Sequence, residues 1–403
     1  MNNKTISFIL FFLIGLFSCK NQNQNNVKSI ISKAIKIDLS EFKELSKNNF
    51  SLVKDVAFFQ LETNEKSLIG SVDKILATDK GVFILDTKST NSIFNFDFLG
   101  KFLGKIGSEG NGPGEYSFLG DMDVDYKGDL QLLDLRKSKI LKFQIDGKFI
   151  NEKKFGFMTY KFAVLNKNSY IFDQGTRDNS RFRNDINLDY KLITWNPNLQ
   201  RLNKFLKYTD VYDSPNYPLP NTHNIYRSGE KLNYLKPYEY NIYNLSSEDK
   251  IIETYDIDFG KHKIPKSFYL KYSNANEAKK IVFDFRKTNF AHSIINIFET
   301  SKYLSFNFSA GSNLYWVAIS KNDNSFFVKD LSKMDLNDYP FLLCPNAVIN
   351  DQFITILRPE YIPYLIEKYG EEKMKEVGLS ILTEHKLNMN PIMVKWNLKN
   401  SFQ

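Results

Sequence analysis

Two stretches of the chain repeat one another: "ILATDKGVFILDTKSTNSIFNFDFLGKF" from Ile75 to Phe102, and "MDVDYKGDLQLLDLRKSKILKFQIDGKF" from Met122 to Phe149. Lys80-Gly81 matches Lys127-Gly128, Phe96 matches Phe143, and Gly100-Lys101-Phe102 matches Gly147-Lys148-Phe149, all at a spacing of about 47 residues. Asp86 and Asp134 match with one residue more between them, a slip that belongs in a turn. A period in the forties with strand-like content is the signature of a propeller blade or a similar β repeat.

Each unit divides into four parts. Met122-Asp123-Val124-Asp125 alternates as a strand does, which would put Asp121, Asp123 and Asp125 on one face. A turn at Tyr126-Lys127-Gly128-Asp129 leads to a second strand, Leu130 to Leu133, ending at Asp134. Ile140 to Phe143 gives a third strand, Asp146-Gly147 is a hairpin signal, and a fourth strand starts near Lys148. Four antiparallel strands per unit make a propeller blade. Coarser strand runs continue to the C-terminus: "SYIFD" and "YKLITWN", then "EKLNYL", "EYNIYNL" and "KIIETYDIDF", then "KYLSFNFS", "NLYWVAIS" and "SFFVKDL", and last "AVINDQFITIL" and "PIMVKWNLK". The count reaches six if the strand around Phe58 to Leu61 closes the last blade, leaving no sheet edge free in the ring. The expected fold is all-β, a six-bladed β-propeller of four-stranded antiparallel blades. Helical insertions are expected on its loops at Pro265 to Lys287 and Pro359 to His385, with aromatics such as Tyr361 and Tyr364 packing inward.

Between the two clearest units lies "GSEGNGPGEY", starting at Gly107. A phosphate loop framed by Gly107 and Gly112 would need Lys at Pro113 and Ser or Thr at Gly114, and Pro113 also removes a backbone donor. A dinucleotide fingerprint would need a following helix. Gly110, Gly112, Pro113, Gly114, Glu115 and Tyr116 therefore read as a structural turn between blades, with positive φ expected at Gly112 and Gly114. This turn and the unit after it resemble an NHL-type repeat. They resemble still more the six-bladed β-propeller lipoproteins of Bacteroidota (NHL/TolB-like propellers), whose hallmark is G-x-G-P-G-E-Y. "FFQLETNEKSLIGSVDKI" from Phe58, "YDIDFGKHKIP" from Tyr255 and "NPIMVKWNLK" from Asn390 extend the likeness over nearly the whole mature chain. The resemblance implies architecture and export; it implies no common activity.

The first residues carry Lys4, an apolar run from Ile6 to Phe17, and Leu16-Phe17-Ser18-Cys19. The run is too short to span a bilayer and reads as a secretory signal. Its end resembles a lipobox, so residues 1–18 are expected to be a lipoprotein signal peptide with Cys19 the lipidation site. Phe17 is bulky for that pattern. Residues 19–34, with "NQNQNN", form a flexible tether, and 35–403 the propeller. The tether lacks acidic residues of the kind tied to surface export, which points to an outer-membrane anchor on the periplasmic side. Cys344 is the other cysteine, so no disulfide is expected, and Cys344 reads as a small buried apolar residue.

The formal charge is +8, but the lysines are scattered, so no nucleic-acid partner is expected. His223, His262, His292 and His385 lie far apart in sequence, giving no metal or catalytic histidine motif. No catalytic residue or cofactor is indicated. "GTRDNSRFRND" gathers Arg177, Arg181 and Arg183 in one loop, a candidate grip for a carboxylate, phosphate or sugar. The expected role is a cell-envelope lipoprotein, held at the membrane by its lipid. It would act as a binding or interaction module for an envelope protein or glycan, accessory to glycan or nutrient uptake. The alternative is an enzyme, a lyase or hydrolase, with acids, His and Arg converging at one mouth of the channel.

Overall fold

The computed structural model describes residues 35–45, 52–174, 179, 190–207, 224–228, 231–236, 239–247, 250–272 and 280–399. Six sheets account for the repeats. The first blade holds strands Lys74–Thr78, Gly81–Asp86, Ser92–Phe96 and Phe102–Lys105 in that order. The second runs from Leu119–Val124 to Phe149–Lys154, the third from Lys161–Asn166 to Arg201–Lys207, and the fifth from Ala291–Glu299 to Phe326–Asp330. Within each blade neighbouring strands are antiparallel. The first strand of every blade touches the first strands of both neighbouring blades, so six inner strands close a ring. The fold is a six-bladed propeller.

The sixth blade joins the two ends of the described chain. Ala347–Ile349, Gln352–Leu357 and Ile392–Leu398 come from the C-terminal part, and Val53–Gln60 supplies the outermost strand, antiparallel to Ile392–Leu398. The chain's first strand, Ile35–Asp38, does not join that blade. It pairs in parallel with Lys250–Asp258 and adds a fifth strand to the fourth blade. Between these two strands a single helical turn, Phe42–Leu45, packs on the outer strand of the fifth blade. Phe42 is fully buried there, edge-on to Phe308 and Tyr315 at 5.1 and 4.9 Å. The N-terminal segment thus bridges three blades, a feature with no counterpart in the repeat.

The one-residue slip in the repeat is an added loop residue. The first blade turns through Asp79-Lys80 between Thr78 and Gly81, which pair directly. In the second, Asp125 N–H bonds Asp129 O at 2.9 Å and encloses three residues, with Gly128 at φ 81°. The first strand of that blade therefore ends at Val124, and Asp125 belongs to the turn: its carboxylate accepts from Lys142 at 2.6 Å and Gln131 at 3.1 Å. Only Asp121 and Asp123 share the strand face.

Asp86 and Asp134 finish the second strands of their blades and are both fully buried. Asp86 accepts from the N–H groups of Gly70, Ser71, Ser89 and Thr90 and from the hydroxyls of Ser71 and Thr90. Burial opposes its charge, but these donors outweigh it and hold the carboxyl below its usual range. Asp134 accepts from the N–H groups of Ser117, Arg136 and Lys137.

The glycine-rich connection lies between these blades. Ser108–Glu109 pairs in parallel with Glu115–Tyr116, and Tyr116 plugs the core between the first two blades. Gly112 N–H donates to the Glu115 carboxylate at 2.7 Å, so the loop binds its own anion. That carboxylate lies where a Cβ on Gly110 would sit, 2.1 Å away, which is why the position is glycine. Gly114 has φ 79°, and a Cβ there would meet the Phe149 ring at 2.9 Å. Gly112 does not have positive φ, contrary to the expectation: its need is only for an unobstructed approach to Glu115.

Both helical insertions are present. Lys266–Leu270 and Ile281–Phe285 follow the fourth blade; Ile362–Tyr369, Glu371–Glu376 and Ser380–Thr383 follow the second strand of the sixth. Phe268, Tyr269, Tyr272 and Phe285 pack together as expected. Tyr361 and Tyr364 do not: they are half exposed, while Ile362 and Leu365 turn inward.

Phe42→Ala removes the plug beneath the bridging segment. Truncating a buried aromatic costs about 3–5 kcal/mol. Equilibrium denaturation is expected to show a loss of that size with an unchanged β-rich circular dichroism spectrum; a loss below about 1 kcal/mol would show that the segment is peripheral to stability.

Candidate ligand site in the central channel

The six inner strands enclose a cavity of about 990 Å³, and every blade contributes to its wall. Propeller topology brings the hairpins after the six inner strands together at one mouth. Both helical insertions follow strands that end at the other mouth. The wall mixes apolar side chains such as Ile225 and Ile295 with a set of charged groups.

The charges are held in three groups. Asp121 Oδ1 accepts from Lys74 Nζ at 2.7 Å, and its Oδ2 accepts Phe162 N–H at 3.1 Å. Lys161 is packed beside this pair and donates to Gly120 O at 3.4 Å; desolvation pushes its ammonium below the usual range, with Asp121 opposing. Asp123 Oδ2 accepts Val164 N–H at 2.8 Å and Arg227 Nη2 at 2.8 Å, and the same Nη2 donates to Val164 O at 2.8 Å. One node therefore ties the second, third and fourth blades. Glu299 accepts from Lys321 Nζ at 2.6 Å and from the Tyr226 hydroxyl at 3.3 Å. Burial first, then Glu299, pushes the Tyr226 phenol well up, and the same pair of causes takes Tyr255 to about 12.

Asp121 and Asp123 are buried for a local reason. The inner edge of a blade presents backbone N–H groups that no further strand covers. Their carboxylates accept two of those N–H groups on the third blade, and the cations beside them balance the buried charge. The alternation of "DMDVD" already put these two acids on one face of an inner strand. The partners were not visible, because Lys74, Arg227, Glu299 and Lys321 are scattered over three blades.

At the hairpin mouth, Ser301 N–H donates to Asp351 at 2.5 Å and its hydroxyl bonds the same carboxylate, joining the fifth and sixth blades. Asn350 and Asp351 both have positive φ, as a two-residue hairpin turn requires.

The sequence candidates fall elsewhere. Arg177, Arg181 and Arg183 lie outside the described residues, as do Cys19 and His223. The glycine-rich turn lies on the outer connection and lines no part of the channel. None of the described histidines lines it either: His262 bonds Asn289 O, His385 bonds Gln60, and His292 bonds Ser293 Oγ and stacks on Phe285 at 4.5 Å. Cys344 is a partly buried free thiol that burial pushes up to about 12, so it is not a thiolate nucleophile at neutral pH. Among the described residues no cluster of His, Cys, Asp and Glu is arranged to hold a metal ion. No helix among them is long and apolar enough to cross a membrane.

A closed ring of six blades around a polar-lined channel defines the class: a six-bladed β-propeller. The chain matches the model of a domain of unknown function, DUF4934, over residues 32–396, and belongs to that family. It is similar in structure to a protein of Bacteroides fragilis NCTC 9343 described as exported, with a TM-score of 0.72 at 18% identity, covering 91% of this chain and 100% of that one. A member of the DUF4221 family from Bacteroides vulgatus ATCC 8482 aligns with a TM-score of 0.49 at 10% identity, covering 87% and 99%. No curated protein matches the chain. At 18% identity the first of these likenesses shows the fold alone.

His292, packed on Phe285 away from the channel, gives the fold's stability a pH dependence. Burial pushes it down to about 4, so it is neutral in the folded chain where the unfolded chain still protonates near 6.5. The unfolded state then binds more protons between those values. Its contribution is complete above about pH 6.5 and is lost as pH falls toward 4, by up to ~3 kcal/mol. Chemical denaturation at pH 7 and 4.5 is expected to show a smaller drop for His292→Phe than for the wild type; equal drops would assign the acid sensitivity to other groups.

Proposed function

We propose that the protein is a binding module of the cell envelope, and that its ligand enters the central channel. The carrying observation is the cavity of about 990 Å³ whose carboxylates are already paired with fixed cations or hydroxyls. Cavities up to about this size take drug-sized ligands on mostly apolar walls with a few convergent polar groups. Paired carboxylates recognise; they are poor general acids or bases, which need a proton to move at working pH. That supports binding over lyase or hydrolase chemistry. A role accessory to glycan or nutrient uptake fits this reading, with an envelope protein or glycan as partner.

A thermal-shift screen of the purified chain against sugars, amino acids and small organic acids tests the channel. Ile295→Trp fills it with an indole from a half-buried wall position outside the packed cores. Compounds that raise the melting temperature of the wild type are expected to lose their effect in this variant. Equal stabilisation of both would place the ligand elsewhere.

Export followed by lipidation at Cys19 is the second part of the proposal, with the anchor in the outer membrane and the propeller on its periplasmic side. It is supported by Leu16-Phe17-Ser18-Cys19 and by the likeness to an exported protein. Metabolic labelling with an alkyne fatty acid is expected to mark the wild type and not Cys19→Ala. Equal label on both would remove the anchor.

A further inference from the structure

Among the described residues, the cations of the channel outnumber its unpaired carboxylates at the hairpin mouth of the fourth blade. Arg227 makes its hydrogen bonds to Asp123 and Val164 through Nη2 alone. Its Nε is buried without a partner, and Nη1 has none among the described residues. Lys231 starts the adjoining strand, is exposed, lines the same cavity and forms no ion pair among the described residues. The described acids of the wall are taken: Asp73 by Lys88 and Thr87, Asp123 by Arg227 and Val164, Glu299 by Lys321 and Tyr226, Asp351 by Ser301.

We propose that the channel takes a monoanionic organic ligand, a carboxylate on an uncharged body. The carboxylate sits between Arg227 Nη1 and Lys231, and the body lies against Ile225 and Ile295. The proposal rests on the reading of the channel as the ligand site and narrows it. The charge count selects the class. Among the described residues, one free ammonium, together with a guanidinium already half neutralised by Asp123, balances about one negative charge. A phosphate dianion would keep a charge uncompensated inside the cavity, which is costly. A neutral ligand would cover both cations with nothing to accept their hydrogens. A planar carboxylate also matches the guanidinium, which presents fixed donors in one plane.

Calorimetric titration of the full chain with matched probes tests this: 4-phenylbutyrate against 4-phenylbutyramide, and cellobiouronic acid against cellobiose. The two pairs differ in the body, apolar or sugar, and share the carboxylate. In at least one pair the acid is expected to bind at least tenfold more tightly than its neutral partner. Lys231→Ala, at an exposed position, is expected to weaken that acid at least fivefold. Arg227→Lys keeps a cation beside Asp123 and is expected to weaken it further. Binding of neither acid, equal affinity within both pairs, or an acid indifferent to Lys231→Ala overturns the proposal. If the neutral probes bind and Ile295→Trp blocks them, the channel remains the site and only the anion is wrong. If no compound of the wider screen is sensitive to Ile295→Trp, the channel itself is lost.

Discussion

Strand Val53–Gln60 hydrogen-bonds to Ile392–Leu398 across almost the whole length of the described chain, and the ring stands on that pairing. An open row of six blades would expose two long inner faces and two sheet edges. Closure buries the faces and leaves only the short outer strands. The aromatic core at the seam shows how the closing strands are held: Phe353 stacks on Trp396 at 4.5 Å, and Trp396 donates its indole N–H to Thr355. Ile35–Asp38 and Phe42 add a second tie outside the repeat, across the fourth and fifth blades toward the sixth. Both ties come late in any folding order, because their partners lie far apart in sequence.

Closure also creates the polar problem that the channel solves. Six inner edges face one another too far apart to pair as a sheet. Their N–H groups need acceptors in a space with little water. Asp121 and Asp123 accept on the third blade, and Asn390 does related work at the first, joining Ile69 N–H to the carbonyls of Glu62 and Ser67. Each carboxylate drawn into the ring then brings a cation after it. The pair Lys74–Asp121 therefore holds the first and second blades in register, and Arg227–Asp123 spans from the fourth blade to the second, while both shape the wall that a ligand would meet.

The repeat made the fold legible. Gly81, Gly128 and Gly147 occupy turns that require their φ values, and the matching Asp86 and Asp134 turned out to be the buried acceptors that pin each blade's entry and exit. Signals of this kind are local: a turn residue acts on neighbours within a few positions. The channel was much less legible. Its charged residues are single positions on different blades, each with a sequence context no different from a surface lysine or glutamate. Only the curving of the ring brings Arg227 of the fourth blade to Asp123 of the second, and Lys321 reaches Glu299 only through the strand order of the fifth blade. The helical insertions show the same limit on a smaller scale. Apolar spacing marked Ile362–Tyr369 as a helix, but which face turns inward depends on the sixth blade beneath it, and Tyr364 faces out.

The two mouths differ because the insertions are placed on one side. Residues 259–290 follow the last strand of the fourth blade, and 358–391 follow the second strand of the sixth. Strands alternate in direction, so both insertions emerge opposite the hairpins that carry Lys231 and Asp351. The insertions bring bulk to their mouth: the Phe268, Tyr272 and Phe285 cluster and the helix carrying Leu365. Among the described residues the hairpin mouth has tight turns, such as Asn350-Asp351, which have little freedom to fold over the opening. A ligand approaching from that side meets Lys231 of the fourth blade and the Tyr226–Glu299–Lys321 group, whose Glu299 ends the inner strand of the fifth. Charge selection at such a site then happens at the rim, where an ammonium still keeps part of its hydration, and the ligand is ordered further in by rigid strands. A rim cation of this kind acts chiefly on the rate of association and on its salt dependence. The inner pairs, already satisfied, add shape more than attraction.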